Sequence, residues 1–184
     1  LLIGDIAATR IANTNKFKEI VKMDDCCYPT STSDVSFGQT NQRICSGNDS
    51  PGKSVQLITL KSLLKPTALE QLNPQQSYSF CPSPDCPIVY FSSIGQTFKT
   101  ADLKVSVFQK NWEKSVLVCY CFGWSRQRIC NQIEQEGASD AVASITAHIK
   151  AKRCGCEVNN PQGSCCLGNV REVVKQAREK IIKL

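Results

Sequence analysis

The chain has 184 residues, 41% hydrophobic and 21% charged, and no apolar run approaches the roughly 20 residues needed to span a bilayer, so membrane insertion is not expected. The formal charge of +6 does not gather into a basic patch: Lys and Arg alternate with acids, as in KQAREK near the end, which is the pattern of a solvated helix face and argues against nucleic acid. The opening LLIGDIAATR has neither the basic start nor the apolar stretch of a secretory leader, and the expected location is the cytoplasm.

In chain order, residues 1–44 read as an N-terminal extension and linker. ATRIANTNKFKEIVKM predicts a short helix with Ile11, Phe17 and Ile20 on one face, and the pair Cys26-Cys27 follows it. From Tyr28 to Asp49 the composition is that of a loop, rich in Ser, Thr, Asn, Asp and Gln. Residues 45–112 read as a compact α+β module. SVQLITL predicts a strand ending at Thr59, which caps a helix LKSLLK stopped by Pro66, and TALEQL adds a helical turn. YSFC, PIVYFSS, QTFKT and DLKVSVF then predict a small antiparallel sheet, separated by Pro, Asp and Gly. Such a module has too few core residues to hold together easily without a metal.

Residues 113–184 read as a helical domain. Val116 to Val118 lead into Cys119. Ser125 is placed to cap SRQRICNQIEQEG, in which Ile129 and Ile133 share a face and Gly137 closes the helix. Ser139 is placed to cap SDAVASITAHIKAK, with Val142, Ile145 and Ile149 repeating at three and four. After a polar turn, VNNPQGS, a last helix carries Val170, Val173, Val174 and Ile181 on one face.

Twelve cysteines dominate the chemistry, and their spacing separates metal ligation from a disulfide framework. Ten of the twelve have another cysteine within five residues, and adjacent or one-apart cysteines rarely bond to each other, whereas two thiolates on one turn can share a metal. Cys81 and Cys86 flank the proline-braced turn of CPSPDC, a knuckle suited to Zn²⁺. A closed zinc site needs four donors, which Cys45 and Cys27 would complete, with Cys26 or the turn residue Asp85 as alternatives. Cys26-Cys27 also suits Cu(I), which soft thiolates select. VCYCFG is the sharpest signal, since C-x-C after an apolar strand turns Cys119 and Cys121 toward a common centre, and four thiolates suit zinc or an iron–sulfur cluster. The complementary pair comes from Cys154, Cys156, Cys165 and Cys166, where the start of the last helix offers N–H groups to thiolates. Cys130, alone inside a helix, reads as core.

Two other motifs point away from enzymes. Residues 47–54, GNDSPGKS, match the phosphate-loop pattern, but NQRIC is too polar for the strand that must precede it and SVQLITL reads as strand where a helix is required, so no nucleotide is expected. His148 is the single histidine and lies mid-helix, which excludes a histidine-rich zinc or Rieske site and disfavours triad chemistry.

The blocks VCYCFGWSRQRICNQIEQEG, KRCGCEV and NNPQGSCCLGNV resemble, in that order, the [2Fe–2S] part of the N-terminal domain of CopZ-type copper chaperones, itself similar to bacterioferritin-associated ferredoxin. YSFCPSPDCPIVYF resembles the zinc-binding module of the same family. The resemblance implies an α+β fold, with a small antiparallel zinc module followed by a helical [2Fe–2S] domain. It implies cluster ligation by Cys119, Cys121 and Cys154, with Cys166 ranked ahead of Cys165 and Cys156 for the fourth position. With eight ligating thiolates, a Zn²⁺ and a [2Fe–2S]²⁺ core, the formal charge would fall to about +2. The function implied is a non-enzymatic metallochaperone that carries Cu(I), with Cu(II) reduction as a linked step and a copper-transporting membrane ATPase or a redox protein as partner. An electron carrier without copper is the second reading, and an iron–sulfur scaffold or sensor the third. The copper-binding motif M-x-C-x-x-C does not occur in these 184 residues.

Overall fold

The computed structural model describes residues 43–182, so the expectations for the N-terminal helix and for Cys26 and Cys27 lie outside the described residues. The upstream half is a four-stranded antiparallel sheet, β1 (Lys53–Val55), β2 (Tyr78–Phe80), β3 (Ile88–Ser92) and β4 (Thr97–Lys99), in that spatial order. Register is set by pairs such as Lys53 with Phe80, Tyr78 with Ser92 and Phe91 with Thr97. Two helices, α1 (Leu57–Leu63) and α2 (Pro66–Leu69), connect β1 to β2. Tyr78, Phe80, Tyr90 and Phe98 fill the core with Leu60, Leu64, Ala68 and Val107.

β3 is the central element, and all five of its residues are buried. A register shift between Ile88 and Tyr90 breaks its simple alternation. Ile88 and Phe91 therefore pack with Cys45, Cys81 and Cys86, while Val89 and Tyr90 join the aromatic core.

In the downstream half a short hairpin, β5 (Leu117–Cys119) and β6 (Trp124–Ser125), leads into α3 (Arg126–Glu136) and α4 (Ala141–Lys150). A single turn, α5 (Cys156–Asn159), and the long helix α6 (Leu167–Ile182) follow. Helix α6 packs on α3, α4 and β5, burying Val170, Val173 and Val174 against Ile129, Ile133 and Ile145. The caps at α3 are as the sequence indicates: Ser125 Oγ accepts from Arg128 N–H at 3.1 Å, and Gly137 takes φ 73°.

The sequence expectations need correction in four places. The strand ends at Val55 and the helix begins at Leu57, so Thr59 is an internal helical residue, buried, whose hydroxyl donates to Glu157 O at 2.6 Å. DLKVSVF is not a strand: residues 100–102 form a 3-10 turn and Leu103 makes one isolated bridge to Leu64. The cap residue of α4 is Asp140, and Ser139 one position earlier accepts from Ala141 N–H at 3.2 Å. Part of the expected turn after Cys156 is helical, as α5.

The two halves are laced together by that region. α5 packs on α1, where Thr59 reaches Glu157 O and Ser62 Oγ donates to Val158 O at 2.7 Å. The Tyr90 hydroxyl donates to Pro161 O at 2.9 Å inside the core, and burial holds that phenol above the ordinary tyrosine range. The segment that precedes Cys165 and Cys166 is thus anchored on the sheet.

Gly52 shows what the phosphate-loop pattern encodes here. Lys53 and Ser54 open a strand, and a Cβ at Gly52 would meet the Phe91 ring at 2.4 Å and Ser79 Cβ at 2.8 Å. The glycine is required by close backbone approach to β3. Gly52→Ala is expected to destabilise the fold by about 1–3 kcal/mol, read as a lowered midpoint in denaturant titration with unchanged slope.

Candidate metal sites

The upstream site is built from two turns presented to β3. Cys45 opens the first: its N–H donates to Ser50 O at 2.9 Å, and Asp49 N–H returns to Cys45 O at 2.9 Å, with Asp49 at φ 54°. Gly47 lies over the sulfurs, where a Cβ would come within 2.9 Å of both Cys86 Sγ and Ile88 Cδ1, and its N–H donates to the Cys45 sulfur. The second turn is Cys81 to Cys86, anchored by Cys81 N–H donating to Val89 O at 2.9 Å.

These turns bring the sulfurs of Cys45, Cys81 and Cys86, all buried, within 4.8 Å of one another. Cys45 Sγ and Cys86 Sγ are 3.8 Å apart. A tetrahedral zinc with Zn–S bonds of about 2.3 Å sets its ligands about 3.8 Å apart, so the thiols fit that ion. Burial and the neighbouring sulfurs push the Cys45 thiol up to about 11, against the pull of the Gly47 N–H. A dication repays this desolvation by binding the thiolate form. Asp85 is exposed in its turn, and Cys27 and Cys26 lie outside the described residues, so three of the expected zinc donors are brought together here.

The downstream cysteines also converge, from three separate segments. Cys119 ends β5 and Cys121 follows Tyr120 in the β5–β6 loop, which Gly123 closes at φ 65°. Cys156 is the first residue of α5, and Cys165 and Cys166 precede α6. Cys121 Sγ lies 3.9 Å from Cys156 Sγ, and Cys156 also hydrogen-bonds with Cys165 and Cys166. Cys166, buried, pairs with Cys119. Cys154 is half-buried and packs against the same core, and Cys130 packs there too from α3. Cys156, expected only as an alternative, therefore sits at the centre of the group.

Protons are unevenly shared among these thiols. Hydrogen bonding from Cys156, with help from the Gly155 N–H and Asn159, lowers Cys121 to about 6. Cys165 falls to about 7, led by Cys156 and helped by the Leu167 N–H at the start of α6. Cys166 falls to about 4, chiefly through Cys119. Cys119 and Cys156, the donors in these pairs, are held above the ordinary thiol range. Thiolates poised beside thiols, with backbone N–H groups aimed at sulfur, form a donor set suited to a soft metal centre.

The sequence reading missed several residues around both sites. Tyr120, inside C-x-C, donates to Ser106 O at 2.7 Å and accepts from Phe108 N–H at 2.9 Å, tying the cysteine loop to the connector. Arg126 lies over the Phe108 ring at 4.1 Å and donates to Phe108 O and Asn111 O, holding the same connector from the other side. Lys110 of this connector reaches the upstream site. Asn159 Nδ2 stands 3.7 Å from Cys121 Sγ. None has a spacing signal; only Tyr120's place between two cysteines could have marked it. His148 stacks on Phe122 at 4.2 Å and accepts from Arg153 Nε at 3.0 Å, away from ligand duty.

A buried three-thiol centre on a small antiparallel sheet defines a cysteine-based metal-binding module, and residues 42–104 match the model of a family described as a zinc binding domain. The chain is similar to the copper chaperone CopZ of Archaeoglobus fulgidus, at 37% identity over 90 residues, which is 48% of this chain and 42% of that protein. It thus spans less than half the length of that curated relative. It is also similar to the crystal structure of the Archaeoglobus fulgidus CopZ N-terminal domain, with a TM-score of 0.61 and 26% identity, over 71% of this chain and 97% of that one. The resemblance to the N-terminal domain of CopZ-type copper chaperones holds in sequence and in fold, and so does the α+β class.

With Cys121 and Cys165 below the usual range, the reduced, metal-free protein is expected to carry thiolate at neutral pH. Absorbance at 240 nm should rise first near pH 4, as Cys166 ionises, and then in a second step across about pH 5 to 8, as the groups at about 6 and about 7 lose their protons. Cys121→Ser should remove the lower part of that step.

Proposed function

We propose that this chain is a metal-handling protein of the CopZ type, carrying a structural zinc upstream and a [2Fe–2S] cluster downstream, and working on metal ions and electrons without turnover of an organic substrate. The observation that carries the reading is the meeting of Cys119, Cys121, Cys156 and Cys166, drawn from three chain segments, in one group of thiols that share protons. Four such donors suit a cluster. Zinc would be held by Cys45, Cys81 and Cys86, with Cys27 or Cys26 as the fourth ligand. The cluster would be held by Cys119, Cys121, Cys166 and Cys156, the last in place of Cys154, because Cys156 Sγ stands 3.9 Å from Cys121 Sγ and its thiol interacts with those of Cys165 and Cys166.

When bound, a [2Fe–2S] cluster supplies one-electron exchange, the change that separates Cu(II) from Cu(I). The chain's own residues set the conditions for it. Val118, Trp124 and Leu167 wall the thiols off from water, while Cys121 and Cys165 stay half-exposed, leaving one side open to a partner. Asn159 and the N–H groups of Phe122, Gly155 and Leu167 offset thiolate charge. Copper would enter as cargo on soft thiolates, with the Cys26-Cys27 pair as the alternative use of those two residues, for delivery to a copper-transporting ATPase. A cytoplasmic site of action accords with this role; among the described residues no helix is long and apolar enough to cross a membrane.

Anaerobically purified protein is expected to contain zinc and iron, with the visible absorption and reduced-state EPR signal of a [2Fe–2S] centre. Cys119→Ser, Cys166→Ser and Cys156→Ser should each lose that colour, whereas Cys154→Ser and Cys130→Ala should keep it. Protein without iron would sink the cluster reading, and colour lost in Cys154→Ser but kept in Cys156→Ser would reverse the ligand choice. Titration with Cu(I) of cluster-loaded protein separates the functional readings: tight stoichiometric binding supports a carrier, and its absence leaves an electron-transfer protein.

A further inference from the structure

Lys110 occupies an unusual position for a lysine. It lies in the connector between the two halves, is half-buried, and turns its ammonium toward the Cys81–Cys86 turn. Nζ donates to Ser83 O at 2.6 Å and to Cys86 O at 2.8 Å, and it stands within hydrogen-bonding reach of the Cys81 thiol. An ammonium has three protons, and these three acceptors account for them. All three belong to one metal-binding turn. The ammonium gives up hydration to sit there, a cost that is offset only where negative charge is close by.

That charge comes from the thiolates. Four thiolates around a dication, the set proposed for this site, leave two net negative charges, and an ammonium at contact distance offsets one of them. The neutral carbonyls alone would hold the turn but would not require a cation. We propose that Lys110 is the positioning residue of the three-cysteine site, clasping both ends of the Ser83–Cys86 segment and supplying the positive charge that stabilises the metal-bound thiolates. This rests on the zinc reading of that site. The connector that carries Lys110 is in turn held by Tyr120 and Arg126, so the clasp is fixed from the downstream half.

The test uses the full chain with Lys110→Met, Lys110→Gln and Lys110→Arg. Zinc affinity is read by competition with a chromophoric chelator, and the sulfur-to-metal charge-transfer band is read after substitution with Co²⁺. Partners that orient metal ligands are typically worth roughly 10- to 100-fold in affinity. Lys110→Met is expected to lose about tenfold or more and to shift the cobalt band. Lys110→Gln, which keeps a donor without the charge, should lose most of the same affinity, and Lys110→Arg should stay within about threefold of the parent. Circular dichroism of the metal-free variants reports folding separately. Parental affinity in Lys110→Met, or equal losses in the Met and Arg variants, would overturn the role of Lys110 while leaving the zinc site standing. A parent chain that takes up neither Zn²⁺ nor Co²⁺ would overturn the zinc reading itself.

Discussion

Sulfur atoms held a few ångströms apart in a protein interior constrain everything around them. Ionised together they repel, and burial penalises each thiolate; protonated, they are weak hydrogen-bond partners. The arrangement is comfortable only when charge is shared with a metal or split into thiol–thiolate pairs. The upstream trio shows the first problem, with Cys45 pushed up by burial at a spacing suited to a tetrahedral ion. The downstream group shows the second, with Cys121, Cys165 and Cys166 lowered as Cys119 and Cys156 are raised.

The two groups meet this constraint with different construction. Upstream, the thiols come from two turns lying on one strand, and the bulge in β3 brings Ile88 and Phe91 beneath them as a lid against water. Glycine is used where backbone must approach closely, at Gly47 over the sulfurs and at Gly52 over Phe91. Downstream, the thiols come from three segments whose separation along the chain must be overcome by tertiary structure. Helix α6 places Cys166, and the stretch before it is fastened to the other half through Tyr90, Thr59 and Ser62. The downstream site therefore draws its geometry in part from the upstream sheet. The two halves form an interlocked pair, with the connector from Ser106 to Glu113 reaching the knuckle through Lys110 and the C-x-C loop through Tyr120.

Local chemistry was legible where one residue decides a local geometry. Ser125 and Gly137 bound α3 because a capping hydroxyl and a left-handed closing residue act within one turn. β2, β3 and β4 follow from short apolar runs broken by Pro and Gly. The expected strand through Thr59 failed because β-branched residues favour strands only weakly, and burial of Leu60 and Leu64 against the sheet made that stretch a helix. DLKVSVF failed for a related reason: its alternation was overridden by burial, and Leu103 and Val107 entered the core from an irregular segment.

The sequence by itself determined that cysteine chemistry governs this chain, that Cys81 and Cys86 share a turn, and that Cys119 and Cys121 face a common centre, because spacings of a few residues leave the backbone little choice. It also pointed to Cys45 as a partner across 35 intervening positions, on the count of donors a zinc site needs. Only the tertiary structure decided which later cysteines join the downstream group, bringing Cys156 to its centre, since that depends on how α5 docks on α1 and where α6 begins. Only the tertiary structure, likewise, placed a lysine from a featureless connector against the Cys81–Cys86 turn. Such contacts follow from packing between segments far apart in the chain, and no local pattern of residues records them.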